Sequence, residues 1–248
     1  MAETMIALIH VHRVTQQALA KALDQVLVEW KYRRVQMPPI PGNGLRDITE
    51  TLDRGVGHLT YLLSPERGNW TTLIQTFAER DDTPFLADLS NRLSQQLQTH
   101  SLAILLHDEG VLFYNLDYRG TPRDGYSSNP RHFADQKLTD QEALNSRHMP
   151  KAFTPLLPKH IKIEKLMDLL NAGWWHAFDA KKLDDDGEPL EEELVIDEEE
   201  RLATLGGLLQ LNGSAGYPFA QWRTTTMIDW KHYQLLQYQA KGRTLPMA

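Results

Sequence analysis

Two histidines near the start of the chain are the first residues whose type and spacing could do chemistry. His10 and His12 close the apolar segment MIALIHVH, residues 5–12, which has the length and composition of a buried strand. Side chains two positions apart lie on the same face of a strand, so both imidazoles could reach one metal ion. Several hydrolase families begin a metal site in this way.

The rest of the sequence does not supply the partners that such a metal site needs. Barrel hydrolases with this motif carry repeated strand–helix units that end in further His and Asp ligands, whereas here a hairpin precedes the second predicted helix. The other eight histidines follow no ligand spacing, and none forms His-Glu-x-x-His. We therefore predict no metal and no cofactor, and we expect His10 and His12 to face solvent or to bond a backbone carbonyl.

Short catalytic signatures of other kinds are also missing from the sequence. It contains no Gly-x-Ser-x-Gly elbow, no Gly-x-x-x-x-Gly-Lys phosphate loop and no Gly-x-Gly-x-x-Gly segment after a strand. His107, Asp108 and Glu109 stand together at a predicted hairpin tip and could form an acid–base pair, although Asp-Glu-Gly is also favoured in tight turns. These absences argue against an enzyme only weakly, because a site assembled from distant residues leaves no short pattern.

The stretch YRGTPRDGYSSNPRHF, residues 118–133, is the strongest candidate for a binding surface. It leaves a predicted strand and combines arginines with small polar side chains and an aromatic ring, a set suited to recognising an anion or a peptide. A polar connecting loop without a ligand is the alternative. The binding residues predicted in this stretch are Arg119, Arg123, Tyr126, Ser127 and Asn129.

Two adjacent tryptophans form a second candidate for a binding surface. Trp174 and Trp175 lie in GWWHAFDA, residues 173–180, directly after a predicted helix end. Large amphipathic rings in such a place either cover the core or present a surface to a partner. We therefore include both tryptophans among the predicted binding residues.

The net negative charge of the chain comes from one segment. The chain has a net charge of −7, yet residues 181–200, KKLDDDGEPLEEELVIDEEE, hold eleven acids and two lysines. Such a block is typical of a solvated connector, because like charges repel and extend the chain; a docking strip for a basic partner is the alternative. A calcium loop centred on Gly187 is rejected, because it would put Lys182 at the first ligand position.

Composition limits the class of protein. The 248 residues include 41% hydrophobic and 24% charged residues, which is ordinary for a globular chain. The absence of cysteine excludes disulfides and thiol chemistry and fits a reducing compartment. There is no apolar run near the ~20 residues of a membrane span, and the first residues do not resemble a secretion signal. We expect a soluble cytoplasmic protein that does not contact membranes.

Hydrophobic periodicity predicts an α+β fold for residues 1 to about 130. The strand at 5–12 precedes a helix capped by Thr15, and HLTYLLS and WTTLIQTF form a first hairpin. A second helix begins at Thr83, and SLAILLH and VLFYNLDY form a second hairpin. This order predicts an antiparallel sheet, built from two hairpins and an N-terminal strand, with helices packed on one face. Leu86, Leu89, Leu93 and Leu97 are predicted to line one face of the second helix.

The second half of the chain is predicted to be more helical. One helix is expected around 163–170 and another from Asp197 to the Asn-Gly pair at 212–213, whereas the pattern of residues 216–240 leaves strand and helix open. We therefore divide the chain into an α+β sandwich domain, residues 1–130, and a mostly helical elaboration or subdomain, residues 131–248, with an acidic connector at 181–200.

Taken together, these patterns favour a protein-binding protein without catalytic activity, of the inhibitor or immunity type. The expected partner is another protein, since the body of the chain has no basic excess that would favour nucleic acid. The alternative is a hydrolase or transferase with a site built around His10, His12 and the second hairpin. A deep pocket with convergent ionisable groups would favour the enzyme, and a flat surface would favour the binding protein.

Overall fold

The computed structural model describes seven stretches of the chain, residues 5–37, 58–75, 83–107, 111–128, 150–171, 198–211 and 232–241. The strands in these stretches are β1 (Met5–His12), β2 (Tyr32–Val35), β3 (His58–Leu63), β4 (Trp70–Gln75), β5 (His100–His107), β6 (Val111–Tyr118), β7 (Thr121–Ser127) and β8 (Gln234–Ala240). The helices are α1 (Gln16–Glu29), α2 (Thr83–Leu97), α3 (Ile163–Asn171) and α4 (Glu198–Leu209), with a 3₁₀ turn at Pro150–Phe153.

All eight strands of the described stretches belong to one sheet, and every neighbouring pair is antiparallel. The spatial order is β2-β8-β3-β4-β1-β5-β6-β7, so β1 lies in the interior of the sheet between β4 and β5. β8, from the segment that the sequence left undecided between strand and helix, returns to pair with both β2 and β3. The α+β fold with its two hairpins and N-terminal strand is confirmed.

Helices cover both faces of this sheet. Ala7, Ile9 and Val11 of β1 pack in one apolar cluster with α1 and α2, as the alternation of side chains across a strand requires. Ile6 and Leu8 belong to the opposite cluster, which contains the buried leucines of α3 and α4 and the 3₁₀ turn. The N-terminal helices therefore pack on one face as predicted, and the C-terminal helices close the other.

The two N-terminal helices follow their predicted patterns. The hydroxyl of Thr15 accepts a hydrogen bond from the backbone N–H of Ala18 at 3.1 Å and caps α1. In α2, Leu86, Leu89 and Leu93 are fully buried between α1 and the sheet, and Leu97 is partly buried against the same cluster. The predicted cap at Thr83 concerns a side chain outside the described part of the chain.

The C-terminal half is described only in part. Both predicted helices are present, as α3 and α4. Of the acidic block, only residues 198–200 are described, and they form the first turn of α4, where negative charge suits the helix dipole. None of the described helices is both long and apolar enough to span a membrane.

Candidate functional site

Four rings form a row across four neighbouring strands at one end of the sheet. Trp70 begins β4, His12 ends β1, His100 begins β5 and Tyr118 ends β6, and the strand register places each beside the next. Ring centroids are 4.9 Å apart for Trp70 and His12, 6.0 Å for His12 and His100, and 4.3 Å for the stacked pair of His100 and Tyr118. We call these four residues the ring row.

Two arginines extend the ring row at its outer end. The Cζ atoms of Arg119 and Arg123 lie 4.8 and 5.4 Å from the centroid of the Tyr118 ring, within the range of a cation–π interaction. Both side chains are exposed. Neither has a carboxylate partner within the described part of the chain, so this arginine pair carries two positive charges that the described protein does not neutralise.

Arg119 occupies a backbone position that disfavours an arginine. Arg119 and Gly120 join β6 to β7 and have φ angles of 52° and 77°, the left-handed pair of a two-residue type I′ turn that Asn, Asp and Gly prefer. At Gly120 a Cβ atom would approach the Cβ of Gln95 to 2.8 Å, so glycine is required there. Four other non-glycine residues of the described stretches have left-handed φ angles as well, namely Arg13, Lys31, Gln98 and Gln210, so the φ angle of Arg119 bears on stability and is not by itself a sign of binding.

Replacing Arg119 with asparagine should stabilise the protein. Because asparagine tolerates the left-handed region better than arginine does, we expect the free energy of unfolding to rise by about 0.5–1 kcal/mol. Urea denaturation followed by circular dichroism measures the change. Arg123→Asn, on the ordinary backbone of β7, is the control and should bring no gain. A loss of stability in Arg119→Asn larger than that in the control would mean that Arg119 is kept for structural reasons.

His10 and His12 are both buried, so the prediction that they face solvent or bond a carbonyl is wrong. His10 is fully buried, and its Nδ1 shares a 2.8 Å hydrogen bond with the hydroxyl of Thr72. Its Nε2 has no hydrogen-bond partner in the described part of the chain. The prediction failed because β1 runs inside the sheet and the face that carries its histidines is covered by α4. His12 packs against Trp70, and the Nε1 of Trp70 donates a hydrogen bond to the carbonyl of Leu209 in α4.

Burial and neighbouring cations keep these histidines neutral. Burial lowers the pKa of His10 to about 3. The pKa of His12 is lowered to about 4, mainly by burial and to a smaller extent by the charge of Arg13 and by the imidazole of His100. Burial and the charges of Arg123 and Arg119 also lower the pKa of His100. At neutral pH these histidines therefore add no charge to that of the arginines at this end of the sheet.

A small cleft adjoins the other end of the ring row. It has a volume of about 280 Å³ and is lined by Arg13, Val14, Thr15, Glu66, Gly68, Asn69 and Trp70. This volume lies at the lower limit of the roughly 300–1,000 Å³ that is usual for small-molecule sites. Within the stretches that the structure describes, no three His, Asp or Glu side chains are grouped so that they could hold a metal ion.

The structure brings together some of the predicted binding residues. Arg119 and Arg123 share one tyrosine ring, whereas Tyr126 points into the core, where its ring stacks on Tyr114 at 5.4 Å. Ser127 is half-buried at the end of β7. The other predicted binding residues, Asn129, Trp174 and Trp175, lie outside the described part of the chain. So do Asp108 and Glu109 of the hairpin tip.

Sequence reasoning missed Arg13, Trp70, His100 and Tyr118 as members of this site. Each stands at or next to the end of a strand, which is the only local signal that could have pointed to them. Comparison with known proteins adds no family to this description. No protein-family model matches the chain, and neither the curated proteins nor the solved structures contain a significant match to it.

Proposed function

We propose that this protein is a non-catalytic binding protein with an acidic protein as its partner. The partner docks at one end of the sheet, where the ring row lies beside Arg13, Arg119 and Arg123. We call this surface the basic end. The observation that carries the proposal is the arginine pair on Tyr118, which is exposed and lacks a carboxylate within the described residues. Buried or paired arginines would not leave this charge available.

The arginine pair has the chemistry that carboxylate recognition needs. A guanidinium group is planar, permanently charged and able to bond a carboxylate with two parallel N–H groups. Stacking on Tyr118 restricts both side chains before a partner arrives, which reduces the entropy that binding must remove. The backbone N–H of Arg119 bonds the carbonyl of Thr99 at 3.2 Å, so the turn that carries the pair is anchored to the start of β5.

The histidines support binding better than catalysis. A hydrolase or transferase built on His10 and His12 needs an imidazole that touches substrate, and His10 has no exposed surface. His12 is 7% exposed and has a pKa lowered to about 4, so it is a weak base at neutral pH. The adjoining cleft is small. A protein partner is favoured over nucleic acid because the chain outside residues 181–200 has nearly equal numbers of basic and acidic side chains, whereas binding a phosphate backbone needs a basic excess.

The proposal predicts that removing the arginine pair abolishes partner capture. The double variant Arg119→Ala/Arg123→Ala should lower the amount of native partner retained by at least about tenfold, since a hydrogen bond to a charged group contributes ~1.5–3 kcal/mol. The measurement is affinity capture from native cell extract at fixed ionic strength, with each retained protein identified and quantified by mass spectrometry.

The control removes two arginines elsewhere on the surface. Arg33 on β2 and Arg92 on α2 are both exposed, and Arg33→Ala/Arg92→Ala changes the net charge equally. The partner should remain bound to this control, carry an acidic surface and dissociate as salt is raised. Equal retention of the same partner by both double variants would contradict the proposed function.

A further inference from the structure

We propose that the cleft beside the ring row binds a small zwitterion, a free α-amino acid held by both its carboxylate and its ammonium group. This inference goes beyond the proposed function and does not depend on it. Docking of an acidic protein uses the arginines of the basic end, whereas a zwitterion site also needs Glu66 and the space that Glu66 and Arg13 line together.

The cleft is lined by one charged side chain of each sign. Arg13 belongs to the segment between β1 and α1, and Glu66 belongs to the turn between β3 and β4. Both residues are exposed. No ion pair joins them to each other or to another charged group in the described stretches. A guanidinium and a carboxylate that line one space without pairing suit a ligand that carries both of the opposite charges.

A zwitterion in the cleft would complete two charge-assisted hydrogen bonds. Its carboxylate accepts from the guanidinium of Arg13, and its ammonium donates to the carboxylate of Glu66. A ligand with only a negative charge is repelled by Glu66, and a ligand with only a positive charge is repelled by Arg13. The cleft therefore selects against simple anions and simple cations, whereas the arginine pair on Tyr118 accepts any carboxylate.

The volume of the cleft fits a free amino acid. Its volume of about 280 Å³ equals the liquid volume of roughly nine water molecules at ~30 Å³ each, so it holds a ligand of about nine non-hydrogen atoms if each takes the room of one water. An amino acid such as leucine has this size, and a nucleotide is too large. Trp70, whose indole N–H donates to the carbonyl of Leu209 at 3.0 Å, provides a fixed apolar wall for the hydrocarbon part of the ligand.

Hydrogen bonds hold the two walls of the cleft in place before a ligand arrives. The backbone N–H of Arg13 donates to the carbonyl of Asn69 at 2.7 Å and ties the walls together. The hydroxyl of Thr71 in β4 donates to the carbonyl of Val14 at 2.6 Å. Because the walls are already ordered, binding removes less conformational entropy than it would from a loose loop.

The test titrates isotope-labelled full-length protein with L-leucine, L-glutamine and L-serine and follows its amide and indole NMR signals. We expect at least one of these amino acids to shift the signals of residues 13–15 and 66–70 with a Kd on the order of 1 mM, because so small a ligand makes few contacts. The N-acetyl derivative of that amino acid lacks the ammonium, and the amide derivative lacks the carboxylate. Each derivative should bind at least about tenfold more weakly, since it loses one charge-assisted hydrogen bond and meets a like charge.

Three glutamine variants assign the two charges. Glu66→Gln removes the negative charge at nearly constant shape, so it should lose the preference for the amino acid over its N-acetyl derivative. Arg13→Gln should abolish binding of both compounds, and its backbone is compatible with glutamine, because Gln98 and Gln210 have the same left-handed φ angle of 53°. Arg67→Gln is the control, since Arg67 is exposed in the same turn but does not line the cleft. It should bind as the unmodified protein does.

Each of three results would overturn the zwitterion site. The first is the absence of any shift at these residues with all three amino acids at about 10 mM, well above the expected Kd. The second is an equal Kd for the amino acid and its two derivatives, which would mean that the cleft does not distinguish charge. The third is binding that persists unchanged in Arg13→Gln and Glu66→Gln. None of these results bears on the capture of an acidic partner by the arginine pair.

Discussion

Replacing Leu93 with alanine is expected to lower the free energy of unfolding by about 2–5 kcal/mol, a large part of the roughly 5–15 kcal/mol of a typical domain. Leu93 has no exposed surface and packs from α2 into the cluster that α1, α2 and the sheet share. Its truncation removes apolar contacts and leaves a cavity that the rigid sheet beneath cannot close. Urea denaturation followed by circular dichroism gives the value.

Two matched substitutions show whether burial is the cause of this loss. Val28 on α1 is 51% exposed, so Val28→Ala should change stability by less than about 0.5 kcal/mol. Arg123→Ala should be similarly mild, because the arginine is exposed and has no carboxylate partner in the described stretches. If Arg123→Ala destabilised the protein as much as Leu93→Ala, Arg123 would be structural and the basic end would lose its main binding residue.

The second large effect is a loss of stability in acid that comes from His10. Its pKa is about 3 in the folded protein, below the ordinary value of about 6.5 expected after unfolding. Between these values the unfolded state binds more protons, so the contribution to stability is complete above about pH 6.5 and is lost as the pH falls towards 3. For His10 alone this amounts to about 2 kcal/mol between pH 7 and pH 5.

The variant His10→Leu should flatten this dependence. Urea denaturation at several pH values between about 7 and 5 should show a slope lower by up to one proton, or about 1.4 kcal/mol per pH unit, in the variant. The raised pKa of Asp117, which comes from burial, is common to both proteins and cancels in the comparison. His160→Gln is the exposed control and should leave the slope unchanged. Equal slopes for His10→Leu and the unmodified protein would mean that His10 can be protonated in the folded state.

Local patterns in the sequence were sufficient to predict most of the elements. The leucine spacing of α2, the cap at Thr15 and the alternation in β6 depend only on residues close together in the chain, and these elements were confirmed. The position of β8 between β2 and β3 could not be predicted in the same way, because it depends on pairing with strands near the other end of the chain.

The candidate site was predictable only in part for the same reason. The composition of residues 118–133 was sufficient to predict Arg119 and Arg123 as binding residues. The register of four strands is what brings together the members of the ring row, Tyr118, His100, His12 and Trp70. The burial of His10 and His12 also has a non-local cause, since α4 covers their face of the sheet. Nothing within residues 5–12 indicates that cover.

The claim that a partner docks on the basic end can be tested most directly on the native complex. Hydrogen–deuterium exchange followed by mass spectrometry compares the free protein with the protein bound to the partner captured from cell extract. We predict slower exchange in the complex at residues 118–124 and 12–16, and unchanged exchange at residues 32–35 in β2, on the opposite edge of the sheet. Protection confined to β2 or to another surface, with residues 118–124 unchanged, would contradict the account.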